Sequence, residues 1–228
     1  MTAAPPPVRT CAVCGAPARV PFRPPPAETA PDLDLRPGEP TRATLPRWMQ
    51  TCRACGAAGP DLATLPRVAA ELVRQPAYLA LSGPARPFER WAMIAEAAGE
   101  TAEAAEALLQ AAWMLDDLGA EDGAPAAALR ARVAALWDVA PPEAGWRLVD
   151  VLRRAGMDGE AQAAIARLAS GADAETAAIL AFQQARLAAG DRDRHLLSSA
   201  LRPPARTPHV THGKPAAGGF WRRLFGRD

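Results

Sequence analysis

The apolar positions between residues 62 and 201 follow a helical period. Apolar side chains recur there at spacings of three and four, and proline is less frequent than in the residues before them. This pattern predicts amphipathic helices that turn one face towards a shared core. The predicted helices cover residues 86–98, 101–118, 125–139, 143–155, 160–169 and 174–188.

Glycines mark the ends of several of these helices. Gly99, Gly156 and Gly190 each follow an alanine at the end of an apolar stretch, where a left-handed glycine commonly terminates a helix. Gly156 and Gly190 are 34 residues apart, which is the period of a tetratricopeptide repeat. We therefore expect a mainly α fold, with a tetratricopeptide-like array of helical hairpins over 62–201. An irregular α-bundle is the alternative.

Residues 1–61 have a different character because proline interrupts them. Eight prolines lie between residues 21 and 46, so this stretch cannot form a continuous helix. We expect an elongated loop with a short β-hairpin near residues 42–50. The predicted organisation is a zinc-ribbon-like domain at 1–61 with this long Pro-rich insertion, a helical domain at 62–201 and a flexible basic tail at 202–228.

All four cysteines lie in two Cys-x-x-Cys-Gly sequences, and this is the strongest chemical signal in the chain. Each pair can place two sulfurs on one metal, and the following glycine suits a turn that needs a positive φ. Four thiolates complete the tetrahedral shell of structural Zn²⁺ and leave no open position for a catalytic water. The predicted zinc ligands are Cys11, Cys14, Cys52 and Cys55.

Disulfides and redox chemistry are the alternatives for these cysteines. Two disulfides require an oxidising compartment, and residues 1–9 contain no apolar signal core. A thioredoxin-like pair requires a βαβ context, which the apolar pattern does not provide. The two cysteine pairs are separated by 37 residues, from Cys14 to Cys52, whereas a compact ribbon has about 15–20 residues there. We interpret the additional residues as the Pro-rich loop. The cytoplasm is the predicted compartment.

Charge is distributed unevenly along the chain. Residues 1–65 carry +2, residues 66–201 carry −6 and residues 202–228 carry +5, within a total of +1. An acidic helical region argues against nucleic-acid binding by the helices, because phosphate contacts require a basic face. Nucleic acid, a less favoured partner, would therefore bind the ribbon or the tail. In the ribbon, the phosphate contacts would be Arg9, Arg19, Arg23, Arg42, Arg47 and Arg53.

No catalytic constellation is visible, so we expect a protein that is not an enzyme. The adjacent carboxylates Asp116 and Asp117 do not face one another on a helix, and we expect a solvated helix end there. No Gly-rich phosphate loop or nucleophile elbow is present. Tryptophans at helical spacing favour core packing over a binding surface. They are Trp91, Trp113, Trp137 and Trp146.

The last residues combine large apolar side chains with arginines. In a helix, the apolar side chains between residues 220 and 225 would share one face, and the arginines would lie off it. Such a segment suits an anionic membrane surface or the groove of a partner, and packing on its own helical domain is the alternative. The candidate contact residues are Trp221, Arg222, Arg223 and Phe225.

These motifs together resemble an uncharacterised bacterial family with an N-terminal zinc ribbon and a tetratricopeptide-like helical region. The resemblance rests on both Cys-x-x-Cys-Gly pairs, DLDLRP at 32–37, LPRWMQTCRACG at 45–56 and QAAWMLDD at 110–117. That family usually has proline after the first cysteine of a pair, where this chain has Ala12 and Arg53. The resemblance implies zinc and this architecture, and it implies no activity.

Two functions follow as hypotheses. The first is a non-enzymatic scaffold, in which zinc stabilises a ribbon too Pro-rich to build its own core and the helices present a face to a protein partner. The second is a nucleic-acid-binding ribbon with a helical regulatory domain. Salt-dependent binding by the ribbon would distinguish the second from the first.

Overall fold

The apolar residues that recur at helical spacing between residues 62 and 201 do lie in helices. A computed structural model of the chain describes residues 9–119 and 123–201, and within them the fold is mainly helical, as predicted. Two short helices precede six longer ones, and a final turn closes the described part. They are α1 (Ala69–Leu72), α2 (Pro76–Ala80), α3 (Arg86–Ala97), α4 (Thr101–Asp117), α5 (Ala124–Val139), α6 (Trp146–Ala155), α7 (Asp158–Ala169), α8 (Ala174–Ala188) and α9 (Leu197–Ala200).

The longer helices pack in chain order, each against the next from α3 to α8. Their apolar faces meet in one core, which includes Phe88, Leu108 and Val133. Trp113 and Trp137 are buried in this core, as predicted, and Trp91 and Trp146 pack partly buried against core residues. No helix in the described residues is both long and apolar enough to cross a membrane.

The region around the second cysteine pair forms a two-stranded antiparallel sheet. Strand β1 (Gln50–Thr51) pairs with β2 (Ala58–Gly59) on either side of the cysteine turn. Residues Arg42–Arg47, by contrast, form a 3-10 helix that contains Pro46, so the β-hairpin predicted at 42–50 is wrong. Proline has no backbone N–H to donate to a sheet, whereas its fixed φ suits a helical turn.

The Pro-rich segment is held against the C-terminal helices. Leu33 is fully buried and packs with Ile179 of α8 and Ala200 of α9. Its backbone N–H donates to the carbonyl of His195 at 2.9 Å. The next turn is tight, since Leu35 has a φ of 63°. A loop that looks unstructured in sequence is therefore fixed by contacts more than 140 residues away in the chain.

Buried ion pairs continue this contact towards the middle helices. The Asp34 carboxylate accepts hydrogen bonds from Trp113 Nε1 at 2.7 Å and from Arg154 at 3.3 Å. Asp116 binds Arg154 at 2.8 Å and also binds Arg130. Burial would raise the pKa of Asp116, but these two guanidinium groups outweigh burial and lower it.

The carboxylate pair at the end of α4 therefore differs from its prediction. Asp116 is mostly buried within an ion-pair network, so the solvated helix end expected there is wrong for this residue. Asp117 fits the expectation better, because half of its side chain is exposed although it pairs with Arg36. The guanidinium partners come from other helices and from the Pro-rich segment. The spacing of residues along a single helix cannot predict such partners.

Candidate metal centre

Two turns of the same geometry carry the four cysteines. In the first turn the N–H of Gly15 donates to the Cys11 carbonyl at 2.8 Å, and in the second the N–H of Gly56 donates to that of Cys52 at 2.9 Å. Both glycines have positive φ, 73° and 75°, as the sequence predicts. A Cβ at this position would be strained, which explains why glycine follows each pair. The N–H of each first cysteine closes its turn on the carbonyl of Ala16 or Ala57.

The turns bring all four sulfurs together. The Sγ atoms lie within 4.8 Å of one another, with Cys11 and Cys55 3.9 Å apart and Cys14 and Cys52 3.6 Å apart. A tetrahedral shell with Zn–S bonds of about 2.3 Å separates its sulfurs by about 3.8 Å. A disulfide requires about 2.05 Å. The sulfurs thus have the spacing of metal ligands, and the four cysteines are free thiols.

The four thiols differ in environment. Cys11 and Cys52 are buried, Cys55 is half-buried and Cys14 is exposed. Burial would raise the pKa of Cys52, but hydrogen bonds from backbone N–H groups and from neighbouring thiols lower it to about 7. Burial raises the pKa of Cys11 and of Cys55. The set therefore combines one thiol that ionises near neutral pH with two, Cys11 and Cys55, whose thiolate forms are disfavoured by burial.

A buried tyrosine supports the second turn from the helical side. The Tyr78 hydroxyl donates to the Gly56 carbonyl at 3.2 Å and accepts the N–H of Ala58 at 3.1 Å. Arg90 donates to the same Gly56 carbonyl and to the carbonyl of Tyr78. Burial raises the pKa of Tyr78 to about 12. Sequence reasoning missed both residues, and the only available signal was that Tyr78 is the single tyrosine of the chain.

The cysteines also share a small hydrophobic core with the helices that follow. Leu62, Leu65 and Ile94 are buried against Cys11 and Cys52. The backbone supports this contact, since the N–H of Ala12 donates to the Leu62 carbonyl at 2.8 Å. The site therefore lies where the N-terminal turns meet the first helices, and its buried cysteines, Cys11 and Cys52, are part of the packed interior.

A basic cleft lies beside the second cysteine turn. We define the basic cleft by Arg19, Arg23, Arg47 and Arg53, which line it together with Phe22, and its volume is about 1040 Å³. These four arginines are among the six that the sequence offers as phosphate contacts. The other two are engaged elsewhere, because Arg9 pairs with Asp61 and Arg42 pairs with Asp32.

An apolar groove borders the cleft on the side of α3 and α4. We define the tryptophan groove by Trp48 and Trp91, which line it with Phe22 and Met49 in a volume of about 480 Å³. Its opposite wall carries two acidic residues of α4, Glu103 and Glu106. Glu106 is paired with Arg147 at 2.7 Å, whereas Glu103 has no ion pair in the described residues.

The C-terminal contact residues lie outside the described residues. They are Trp221, Arg222, Arg223 and Phe225. No protein-family model, curated protein or solved structure matches this chain. The tetratricopeptide-like repeat, the zinc ribbon and the family resemblance therefore stay predictions, beside a mainly helical fold and a four-cysteine cluster that are observed.

Proposed function

We propose that this chain is a non-enzymatic zinc protein in which Cys11, Cys14, Cys52 and Cys55 hold one structural Zn²⁺. The observation that carries the proposal is the convergence of four free sulfurs within 4.8 Å. Four thiolates favour zinc over harder ions such as Mg²⁺ and Ca²⁺, which take oxygen ligands. The cytoplasm suits such a site, because a reducing compartment preserves thiolates.

The metal would act by joining two segments that are distant in sequence. Each turn supplies two ligands, so binding closes the 37-residue connection between Cys14 and Cys52. The free energy of binding then adds to the free energy of folding, since no ligand set exists in the unfolded chain. A zinc-ribbon-like unit of this kind fits the proposal, and it requires no catalytic role for the ion.

Metal analysis tests the zinc proposal directly. We expect one zinc per chain in the purified protein and strong thiolate-to-cobalt charge-transfer absorption after exchange with Co²⁺. Cys52→Ser should lose both signals. Ala54→Ser is the matched control, because it places the same hydroxyl on an exposed residue of the same turn. Zinc retained in full by Cys52→Ser, or lost equally in Ala54→Ser, would contradict the proposal.

The function of the stabilised protein would be to bind a protein partner. The tryptophan groove supports this role, because apolar aromatic side chains line it together with Glu103, a carboxylate that has no ion pair within residues 9–119 and 123–201. Its chemistry fits a partner segment that carries apolar side chains next to a basic residue. The helical region would thus act as the scaffold that the sequence favours.

A charge reversal in the groove tests the partner proposal. Proteins that copurify with the wild-type chain should be lost from Glu103→Arg and retained by Glu175→Arg. The two glutamates match, since each is exposed and each lies in the first turn of a long helix, α4 and α8. A partner that both variants retain, or that both lose, would contradict a role for the groove.

The C-terminal segment would supply a second contact. Trp221 and Phe225 provide apolar area, and Arg222 and Arg223 provide charge for a partner or an anionic membrane surface. A chain that ends at Leu201 separates these roles. Loss of the partner alone would assign the segment to protein contact, and loss of sedimentation with anionic vesicles would assign it to membrane contact. No change in either measurement would remove it from the proposal.

A further inference from the structure

The basic cleft carries positive charge that no carboxylate of the described chain compensates. Its four arginines are exposed, and none forms an ion pair with a residue of 9–119 or 123–201. None of the residues that line the cleft is acidic. The other arginines of the N-terminal residues show the contrast, since Arg9, Arg36 and Arg42 each bind an aspartate.

The concave shape of the cleft strengthens the positive electrostatic potential of these arginines. The loop after the first cysteine turn forms one wall, and the segment that runs through β1 into the second turn forms the other. A concave surface with walls of one charge concentrates the electrostatic potential and attracts anions. Residues 66–201 carry a net charge of −6, which disfavours a polyanion elsewhere on the helical part and leaves this cleft as the site for an anionic ligand.

An aromatic ring lies among these charges. The guanidinium of Arg47 stacks over the ring of Phe22 at 4.0 Å, and Phe22 is only half-buried. Cationic side chains that follow a backbone, combined with an aromatic face for a base, are the features that bind single-stranded nucleic acid. A peptide of acidic residues would use the guanidinium groups and would gain little from the ring.

We propose that the basic cleft binds single-stranded nucleic acid. Arg19, Arg23, Arg47 and Arg53 contact successive phosphates, and Phe22 stacks with a base. The cleft and the tryptophan groove share Phe22 and Met49, but the four arginines line only the cleft and Glu103 lines only the groove, so charge variants test the two contacts separately. The two functions can therefore fail independently.

Salt-dependent binding of an oligonucleotide tests the assignment. The probe is a fluorescein-labelled oligothymidylate of about 12 nucleotides, within the site sizes of known single-strand grooves. Anisotropy is measured with the full zinc-loaded chain between about 50 and about 200 mM salt. Four phosphate contacts predict that log Kobs falls against log[salt] with a slope of about −2.8. Absence of binding at about 50 mM salt would overturn the proposal.

Variants locate the binding on the protein. Arg19→Ala with Arg53→Ala should reduce the magnitude of the slope by about 1.4. Phe22→Ala should weaken binding roughly tenfold without changing the slope, because it removes stacking and no charge. Arg67→Ala with Arg74→Ala is the control, since both arginines are exposed and neither lines the cleft.

Three further measurements separate the rival explanations. If Arg222→Ala with Arg223→Ala removes the binding and the cleft variants do not, the C-terminal segment carries it and the proposal is wrong. Zinc content is measured in every variant, because the arginines stand beside a centre whose thiolates are negative. Loss of zinc in parallel with loss of binding, or equal competition by a polyglutamate peptide, would also overturn the assignment.

Discussion

Asp34 shows how much one buried side chain holds together. Its carboxylate is fully buried and accepts hydrogen bonds from Trp113 of α4 and Arg154 of α6. It also accepts the backbone N–H of Arg36 at 3.1 Å, which shapes the turn around Leu35. In the sequence, Asp34 stands out only as part of the motif DLDLRP. Its hydrogen-bond partners cannot be recognised there, because they lie 79 and 120 residues further along the chain.

Removing the Asp34 carboxylate should destabilise the protein strongly. Asp34→Ala leaves the Arg154 guanidinium and the Trp113 N–H buried without their shared acceptor, and we expect a loss of about 3–5 kcal/mol. Urea denaturation followed by tryptophan fluorescence measures it. The control is Arg132→Ala, whose pair with Glu96 is half-exposed at 3.7 Å and should contribute less than about 1 kcal/mol. Similar losses in both variants would contradict a special role for the buried site.

The stability contribution of Asp116 should depend on pH. Arg130 and Arg154 hold the pKa of Asp116 in the folded protein below its ordinary value, although burial acts in the opposite direction. Its stabilisation is therefore fully present above the unfolded pKa of about 3.9 and is lost as the pH falls through the lower folded pKa. The difference in unfolding free energy between wild type and Asp116→Asn should be constant from about pH 7 to pH 5 and decrease below about pH 4.

The difference in stability between wild type and Asp116→Asn also cancels any effect of pH on the metal site. Acid would protonate the cysteine ligands and release the proposed zinc, but it would do so equally in both proteins. Asp173→Asn is a positive control for the direction of the pH dependence, because the pKa of Asp173 is also lowered, by the hydrogen bond from the N–H of Thr176 and without arginines. A difference between wild type and Asp116→Asn that does not change with pH would show that ionisation of Asp116 is irrelevant to stability.

At the scale of elements, the six longer helices were predictable, whereas the short helices α1, α2 and α9 and the Pro-rich segment were not. The predicted helix 174–188 coincides with α8, and 143–155 begins three residues before α6. Apolar periodicity is a local property, so it locates helices without knowledge of the fold. The segment 21–46 has no such period, and its structure depends on distant partners such as Ile179 and His195. Its placement therefore requires the tertiary structure.

Two glycines near the junction of α6 and α7 have opposite roles. Gly156 has a φ of 77° and ends α6, whereas Gly159 lies within α7 with no positive φ. Gly156→Ala should cost about 1 kcal/mol because an L-residue is strained at this φ. A Cβ there would approach Arg192 at 2.5 Å, but that contact is with the mobile end of a half-exposed side chain.

Gly159→Ala should have the opposite sign. Its Cβ would meet nothing within 4 Å, and alanine favours the helix by about 0.5–1 kcal/mol. Thermal unfolding of both variants measures the contrast. Gly190→Ala should behave like Gly156→Ala, since Gly190 has a φ of 65° and open space around it. If Gly159→Ala destabilised the protein as much as the other two, helix propensity and φ would not explain the pattern.

At the scale of the whole molecule, the N-terminal residues contact both ends of the helical part. The cysteine turns share a core with Ile94 of α3, and the Pro-rich segment places Leu33 between α8 and α9. The sequence identified the four cysteines but not these contacts, because spacing indicates ligands and contains no information on what they pack against. Loss of the metal should therefore disturb the packing of the helices, beginning with α3.

Removal of zinc should accordingly loosen the protein unevenly. A chelator should lower the hydrogen-exchange protection of the residues around Cys52 and of α1–α3, while α7 and α8 retain most of theirs, because only the former share a core with the cysteines. Added zinc should restore protection. Uniform loss along the whole chain would indicate a single cooperative unit instead.

The Tyr78 hydroxyl should connect the helices to the metal. Tyr78→Phe keeps the buried ring but removes the bond to the Gly56 carbonyl and leaves the Ala58 N–H without its acceptor. We expect a loss of about 1–3 kcal/mol in stability and about tenfold in zinc affinity, since groups behind the ligands orient the ligand turns. Competition with a chelator of known affinity measures the second effect.

A hydroxyl far from the metal provides the control for Tyr78→Phe. Ser170→Ala removes an exposed hydroxyl that donates only to the nearby Arg167 carbonyl, and zinc affinity should be unchanged. If Tyr78→Phe lowered stability but left zinc affinity unchanged, the tyrosine would serve the helical core alone. If it lowered both, α2 and α3 would be part of the binding site in energetic terms. The four ligands alone would then not determine zinc affinity, because the helical packing around them would contribute to it.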